Sequence, residues 1–236
     1  MKIVIISITQ YKEKDAIIDA ISEEGEVTFL AKGVLNPKNA NAAINNLLAI
    51  ADIELQEGNY KYPVLKNASI LLNPLKTNND FDYLASLMVI GEATKALLQD
   101  EEKAEIFDSL VTAITTLKKI DEPWFVLLVY LARVLKQSGY EFEVNRCVFC
   151  GSKNNIRTFS FKDGGFVCND CLDETTEMGL TKDQMLLIRA AFNSQTFETT
   201  FEGYNKENAL VVLNKFFEFI NDAYGLTLKS QKLIIN

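Results

Sequence analysis

CVFCGSKNNIRTFSFKDGGFVCNDC, residues 147–171, holds all four cysteines of the chain. Cys147 and Cys150 form one CxxC pair, Cys168 and Cys171 a second, with 17 residues between them. Two tight turns at this separation can aim four thiolates at one ion, the spacing of a four-cysteine zinc site. Gly151 lets the chain turn beneath the first pair. Arg157 to Phe161 and Phe166-Val167, joined by Asp163-Gly164-Gly165, read as a hairpin that carries the second pair to the first. The expected element is a zinc ribbon spanning 146–172, with an iron centre and free or oxidised thiols as the alternatives. Four protein ligands leave no position for water, so such a zinc ion is structural. Losing a ligand is expected to unfold at least the ribbon.

Outward from the ribbon the pattern is helical. Apolar residues recur at three and four over segments near 81–99, 102–119, 122–138, 182–194 and 206–224. Thr181 with Gln184 forms a capping box, Asp121 and Pro123 open a helix before Trp124, and Gly225 stands where a helix C′ glycine belongs. The segment after Pro123 is apolar nearly all round and should be central; lining a partner groove is its other reading. The first 75 residues differ. Lys2 to Ile8, Ala16 to Ser22, Val27 to Lys32, Leu47 to Glu57 and Val64 to Leu72 read as strands, separated by turns at Glu24-Gly25, Asn36-Pro37 and Gly58-Asn59. Five short strands suggest a small oligonucleotide-binding (OB) type barrel. The fold class is therefore α+β: a barrel domain over 1–79, then a helical domain over 80–236 with the ribbon inserted.

The chain has 236 residues, 24 Lys and Arg against 32 Asp and Glu, no histidine, and a net charge of −8. Without histidine, histidine-activated nucleophiles, HExxH metalloproteases and HxE zinc deaminases are excluded. Neither GxxxxGK[ST] nor GxSxG occurs. Asp80 with Asp82 and Glu101 with Glu102 lie in acidic surface runs, so no acid or base role follows and no enzyme is expected. The longest apolar run, Trp124 to Ala132, is too short to span a bilayer, and Met1 to Ile8 lacks a basic n-region, so the chain reads as cytoplasmic with no membrane partner. The negative charge opposes nucleic-acid binding. It is uneven: residues 1–79 hold 8 lysines and 9 acids, and no acid falls between Glu26 and Asp52. Lys12, Lys14, Lys32, Lys38, Lys61 and Lys66 are the candidates for phosphate contact, each otherwise a solvated charge. Tyr11, Phe29, Tyr60 and Tyr62 are candidates for base stacking, with core packing favoured for Phe29.

Tyr11-Lys12-Glu13-Lys14-Asp15, Ser22-Glu23-Glu24-Gly25 and Ala31-Lys32-Gly33 follow one another near the start. Later come Gly139-Tyr140, Cys147 to Gly151, Phe159-Ser160, Gly164-Gly165, Cys168 to Cys171 and Leu228-Lys229-Ser230. In this order the string resembles the bacterial DNA repair RecO family along the whole chain. The resemblance implies an N-terminal OB domain, a helical domain bearing a zinc ribbon, binding of single- and double-stranded DNA, and strand annealing. It also implies partnership with RecR, contact with single-stranded-DNA-binding protein, and help in loading RecA onto coated strands. After Ala31-Lys32-Gly33 the family usually has a basic loop; here Val34, Leu35 and Asn36 stand instead, so direct DNA affinity is expected to be reduced unless RecR supplies positive surface. An acidic, zinc-stabilised adaptor without direct DNA binding is the competing expectation.

Overall fold

The computed structural model describes residues 1–57, 61–76, 80–176, 178–198 and 204–234. Five strands come first: β1 (Lys2–Tyr11), β2 (Asp15–Ser22), β3 (Gly25–Ala31), β4 (Ile50–Gln56) and β5 (Val64–Leu72). They close in the order β1-β2-β3-β5-β4, with β1 antiparallel to β4 and the β3–β5 pair parallel. That is the OB-type barrel expected.

The run Ile3-Val4-Ile5-Ile6 shows why the barrel sits where it does. Side chains alternate across a strand. Ile3 and Ile5 pack inside the barrel with Ile18, Phe29, Ile44 and Ile53. Val4 and Ile6 belong to the second core, among the helices. A strand apolar on both faces is thus shared between two cores.

The helices are α1 (Phe81–Leu97), α2 (Asp100–Lys119), α3 (Pro123–Gln137), α4 (Lys182–Asn193) and α5 (Lys206–Tyr224). α3 is buried from Pro123 through Ala132 and again at Val134 and Leu135, which settles it as core rather than a groove wall. Between α3 and α4 lies a three-stranded sheet of β6 (Glu143–Cys147), β7 (Ile156–Ser160) and β8 (Gly165–Cys168), in the order β6-β8-β7. The expected hairpin is β7–β8.

Several boundaries move for physical reasons. β1 runs on to Tyr11 because Ile8 to Tyr11 keep pairing with Asp15 to Ile18. β4 begins at Ile50 rather than Leu47, since Leu48 has φ +60° and the chain turns there. α2 begins two residues early because the Glu102 carboxylate accepts the Gln99 N–H at 2.7 Å. Glu122, not Asp121, precedes Pro123 at the start of α3. The Gly58-Asn59 turn and Tyr60 lie outside the described residues.

Polar links fix the barrel against the helices. Lys103 of α2 is buried, and its ammonium meets Glu26 of β3 at 2.5 Å and Asp100 at 3.3 Å. Lys95 of α1 meets Asp19 of β2 at 3.3 Å. The C-terminus is captured similarly. Glu92 of α1 accepts the backbone N–H groups of Lys229 and Ser230 at 2.8 Å each and the Ser230 hydroxyl at 2.6 Å.

Burial pushes the Glu92 carboxyl up, but the Ser230 and Lys229 hydrogen bonds outweigh it, and the pKa lies below its ordinary value. A carboxylate depressed in the folded state stabilises fully above its unfolded pKa and loses that contribution as pH falls through the folded one. Glu92→Gln is therefore expected to cost about 1 kcal/mol at neutral pH. It should cost progressively less as pH falls from the ordinary carboxyl range through the depressed folded value, where the wild-type carboxyl is protonated too. Denaturant titrations of both proteins across that range check the prediction; a constant difference would remove the ionised clamp.

Candidate functional site

The four cysteines converge at one end of the small sheet. Cys147 ends β6, Cys168 ends β8, and Cys150 and Cys171 complete the two turns. All four Sγ atoms lie within 4.8 Å of one another. Cys147 and Cys168 are buried, Cys171 is half-buried and Cys150 is exposed. β8 is the hub, pairing antiparallel with β7 and parallel with β6. The parallel strand β6 had no sequence signal, because Glu143-Val144-Asn145-Arg146 carries one apolar residue and its partner lies some twenty residues on. Gly165 makes that pairing possible. Its φ is +156°, and a Cβ there would collide with the Glu143 carbonyl.

The donor set suits a thiophilic divalent cation. Burial raises the Cys147 thiol, but the N–H groups of Cys150, Cys168 and Phe149 bring it down to about 6. Cys171 moves the other way, pushed up to about 12 by the sulfurs of Cys150 and Cys168. Four sulfurs this close cannot all ionise without a cation between them. A tetrahedral zinc ion would remove that conflict and leave no ligand position for substrate.

The other end of the ribbon needs no metal. Phe161 packs with Phe142 at 5.3 Å, Phe159 at 4.9 Å, Phe216 at 5.5 Å and, stacked, Phe219 at 5.2 Å. The sheet is therefore held twice, by aromatic packing on α5 and by the cysteines. This narrows the expectation that losing a ligand unfolds the whole ribbon.

Four of the candidate lysines gather at one end of the barrel. Lys12 and Lys14 lie in the β1–β2 turn, and Lys32 and Lys38 in the loop after β3; all are exposed. The Asp15 carboxylate accepts the Gly33 N–H at 2.8 Å, and the Leu35 N–H donates to the Lys14 carbonyl at 3.0 Å. Gly33 has φ +66°, and a Cβ there would press on the Asn39 amide. Tyr-x-x-x-Asp and Ala-Lys-Gly are thus two halves of one junction. Lys61 and Lys66 stand apart. Lys66 is ion-paired with Glu54 at 2.5 Å, a cross-strand partner that sequence does not reveal, and Lys61 lies over the Tyr62 ring at 5.1 Å. Phe29 is core, while Tyr11 is 39% exposed beneath the Lys12 ammonium.

The acidic pairs have structural work. Asp80 caps α1 by accepting the Tyr83 N–H at 2.6 Å, Asp82 pairs with Lys206, and Glu102 caps α2. One feature had no local signal at all. A groove of about 1070 Å³ opens between the barrel, α1 and the C-terminal turn, with Leu47, Leu75 and Met88 exposed along it.

Cys150→Ser is expected to raise hydrogen exchange at residues 148–153 and 169–172 while residues 156–166 stay protected. Phe161→Ala should cost about 3 kcal/mol and loosen the sheet itself. Exchange mass spectrometry distinguishes the two; collapse of the whole ribbon in Cys150→Ser would deny the second anchor.

A family model described as Recombination protein O C terminal matches residues 78–231. The chain is similar to the DNA repair protein RecO of Halalkalibacterium halodurans, 20% identical over 234 residues, covering 98% of this chain and 92% of that protein. It is 25% identical over 179 residues to the DNA repair protein RecO of Mesoplasma florum, covering 74% of this chain and 67% of that one. Against the protein of the same name from Acetivibrio thermocellus it is 29% identical over 167 residues, covering 68% and 65% respectively. The matched region takes in all five helices and the ribbon, the longer similarity takes in the barrel as well, and the chain belongs to the RecO family of DNA repair proteins.

Proposed function

We propose that this chain is a non-catalytic recombination mediator of the cytoplasm, in which residues 1–79 hold single-stranded DNA and residues 80–236 carry partner contacts and a structural zinc ion. The observation that carries the reading is the lysine end of the barrel. Lys12, Lys14, Lys32 and Lys38 stand together on two turns tied by Asp15 and Gly33, within an otherwise acidic chain. A strand crossing that end meets four ammonium groups, with the Tyr11 ring beside Lys12. Lys61 and Lys66 contribute less, since Lys66 already neutralises Glu54.

Cys147, Cys150, Cys168 and Cys171 hold zinc in this reading, and the ion supplies only a fixed tetrahedral node. The names of the relatives support a role in DNA repair. The further roles of annealing, of acting with RecR and single-stranded-DNA-binding protein, and of helping RecA onto coated strands fit a scaffold that presents DNA on one body and protein on another. In this reading none of these roles calls on covalent chemistry by the chain.

The second reading is an acidic adaptor without DNA affinity of its own. The groove between barrel and α1 favours it, being aliphatic along Ile8, Leu35, Leu47, Leu84 and Met88, with no aromatic residue among those that line it. Bases stack on aromatic platforms, whereas such a floor suits the apolar side chains of a protein.

Salt dependence separates the readings. Each phosphate neutralised on a single strand contributes about 0.7 to the slope of log K against log salt. The quadruple Lys12, Lys14, Lys32, Lys38→Ala variant should flatten the slope of oligo-dT binding by up to about 3, with or without RecR, and Lys66→Ala should change it little. Equal slopes for wild type and quadruple variant under both conditions would leave the adaptor.

A further inference from the structure

Within the cysteine cluster the four thiols are not equivalent. The Cys147 sulfur is buried and accepts the Cys168 N–H at 3.4 Å. Cys168 is buried on its strand. Cys150 is the exposed member, followed by Gly151, around whose Cα nothing else lies within 4 Å of a would-be Cβ. The Cys150 sulfur lies 3.6 Å from that of Cys168 on the opposite turn. An oxidant arriving from solvent therefore meets Cys150 first. All four sulfurs lie within 4.8 Å of one another, and this 3.6 Å contact of Cys150 is to the other CxxC pair.

We propose that Cys150 and Cys168 form a hydroperoxide-oxidised pair, through which the centre exchanges its metal tie for a covalent one across the two turns. The thiolate of Cys150 attacks the outer oxygen of a hydroperoxide. The O–O bond breaks, an alcohol or water leaves, and Cys150 becomes a sulfenic acid. The Cys168 thiolate then attacks that sulfur, the S–O bond breaks, and hydroxide departs to be protonated as water. Two thiolates, one hydroperoxide and two protons give one disulfide, one alcohol and one water. A metal held by the four thiolates would lose two of its ligands in this way and be released.

The choice of pair has a structural consequence. Disulfides inside each CxxC pair would leave no covalent bond between the two turns once the metal had gone, only the backbone pairing of β6 with β8. A Cys150–Cys168 bond keeps them joined, above a sheet that the Phe161 cluster already holds on α5. The oxidised chain stays folded, and a thiol reductant returns it to a metal-binding state. Metal release rests on the zinc reading of the preceding subsection, whereas the pairing of sulfurs does not.

The experiment uses the full chain with its zinc content measured beforehand, treated with equimolar hydrogen peroxide and quenched by alkylation. Non-reducing peptide mapping locates the disulfide, and a chromogenic chelator follows zinc. The expected result is a Cys150–Cys168 linkage with Cys147 and Cys171 alkylated, growing in step with zinc release and reversed by dithiothreitol. Cys150→Ala should slow zinc release about tenfold or more, because reactivity follows exposure. Cys171→Ala, with the same number of ligands left, should still release zinc quickly and form the same linkage. Disulfides within the CxxC pairs, or equal release rates in the two variants, would overturn the proposal. So would oxidation of Cys150 to a sulfinic acid with zinc retained. A chain that binds no zinc removes the zinc reading alone, and mapping of the metal-free protein then decides the sulfur pairing.

Discussion

Helix α3 has no face that water can take. Of its fifteen residues only Arg133, Lys136 and Gln137 escape burial, so neighbours must cover it on every side. α1 and α2 pack on it from before it in the chain, α4 and α5 from after the ribbon. The one deeply buried hydroxyl on it is satisfied within the core, Tyr130 sharing a 2.6 Å hydrogen bond with Thr94. Burial at roughly 25 cal/mol per Å² over such a helix is a large stabilisation, and it draws the helices into one bundle around α3. The ribbon, departing after α3 and returning before α4, is confined to an edge of that bundle.

The barrel is held to the bundle by a different balance. β1 serves both cores, and the Lys103–Glu26 pair lies at the join, where the ammonium has lost most of its water. Burial lowers the Lys103 pKa, but Glu26 and Asp100 raise it by more, so the charge is retained. Breaking such a pair strands a charge, which costs far more than an exposed pair contributes. DNA on the barrel and a partner on the helices would thus stand in a fixed relation, which suits a mediator better than a loose tether.

Much of this was legible in the sequence, and the exceptions share a cause. Strand positions in the barrel follow from alternation, α3 from its unbroken apolar run, and the cysteine cluster from spacing. What sequence could not reveal depended on pairing between distant segments. β6 is recognisable only beside β8, and Lys66 is neutralised only because a bulge near Glu54 sets the β4–β5 register. The groove is assembled from six separate segments. The family-like motifs fall between these cases. Asp15, Gly33 and Leu228-Lys229-Ser230 belong to strings that resemble those of the family, whereas Glu92 carried no signal, and the hydrogen bonds that couple Asp15 to Gly33 and Glu92 to Lys229 and Ser230 are properties of the fold.

Charge is distributed unevenly between the two ends of the molecule. Residues 146–172 carry Arg146, Lys153, Arg157 and Lys162 against Asp163 and Asp170. Four thiolates around a divalent ion would add two further negative charges, which would bring the ribbon to neutrality. Arg146 is moreover paired with Glu143 at 2.8 Å. A neutral tip gains little from counterion release on a polyanion, so the exposed Phe149 beside the cysteines has no electrostatic reason to meet a polyanion. The barrel end is the reverse, with its lysines on two turns and the nearest stretch of chain free of acids for 25 residues after Glu26. In the proposed function, phosphate-directed affinity is therefore assigned to the barrel end rather than to the ribbon.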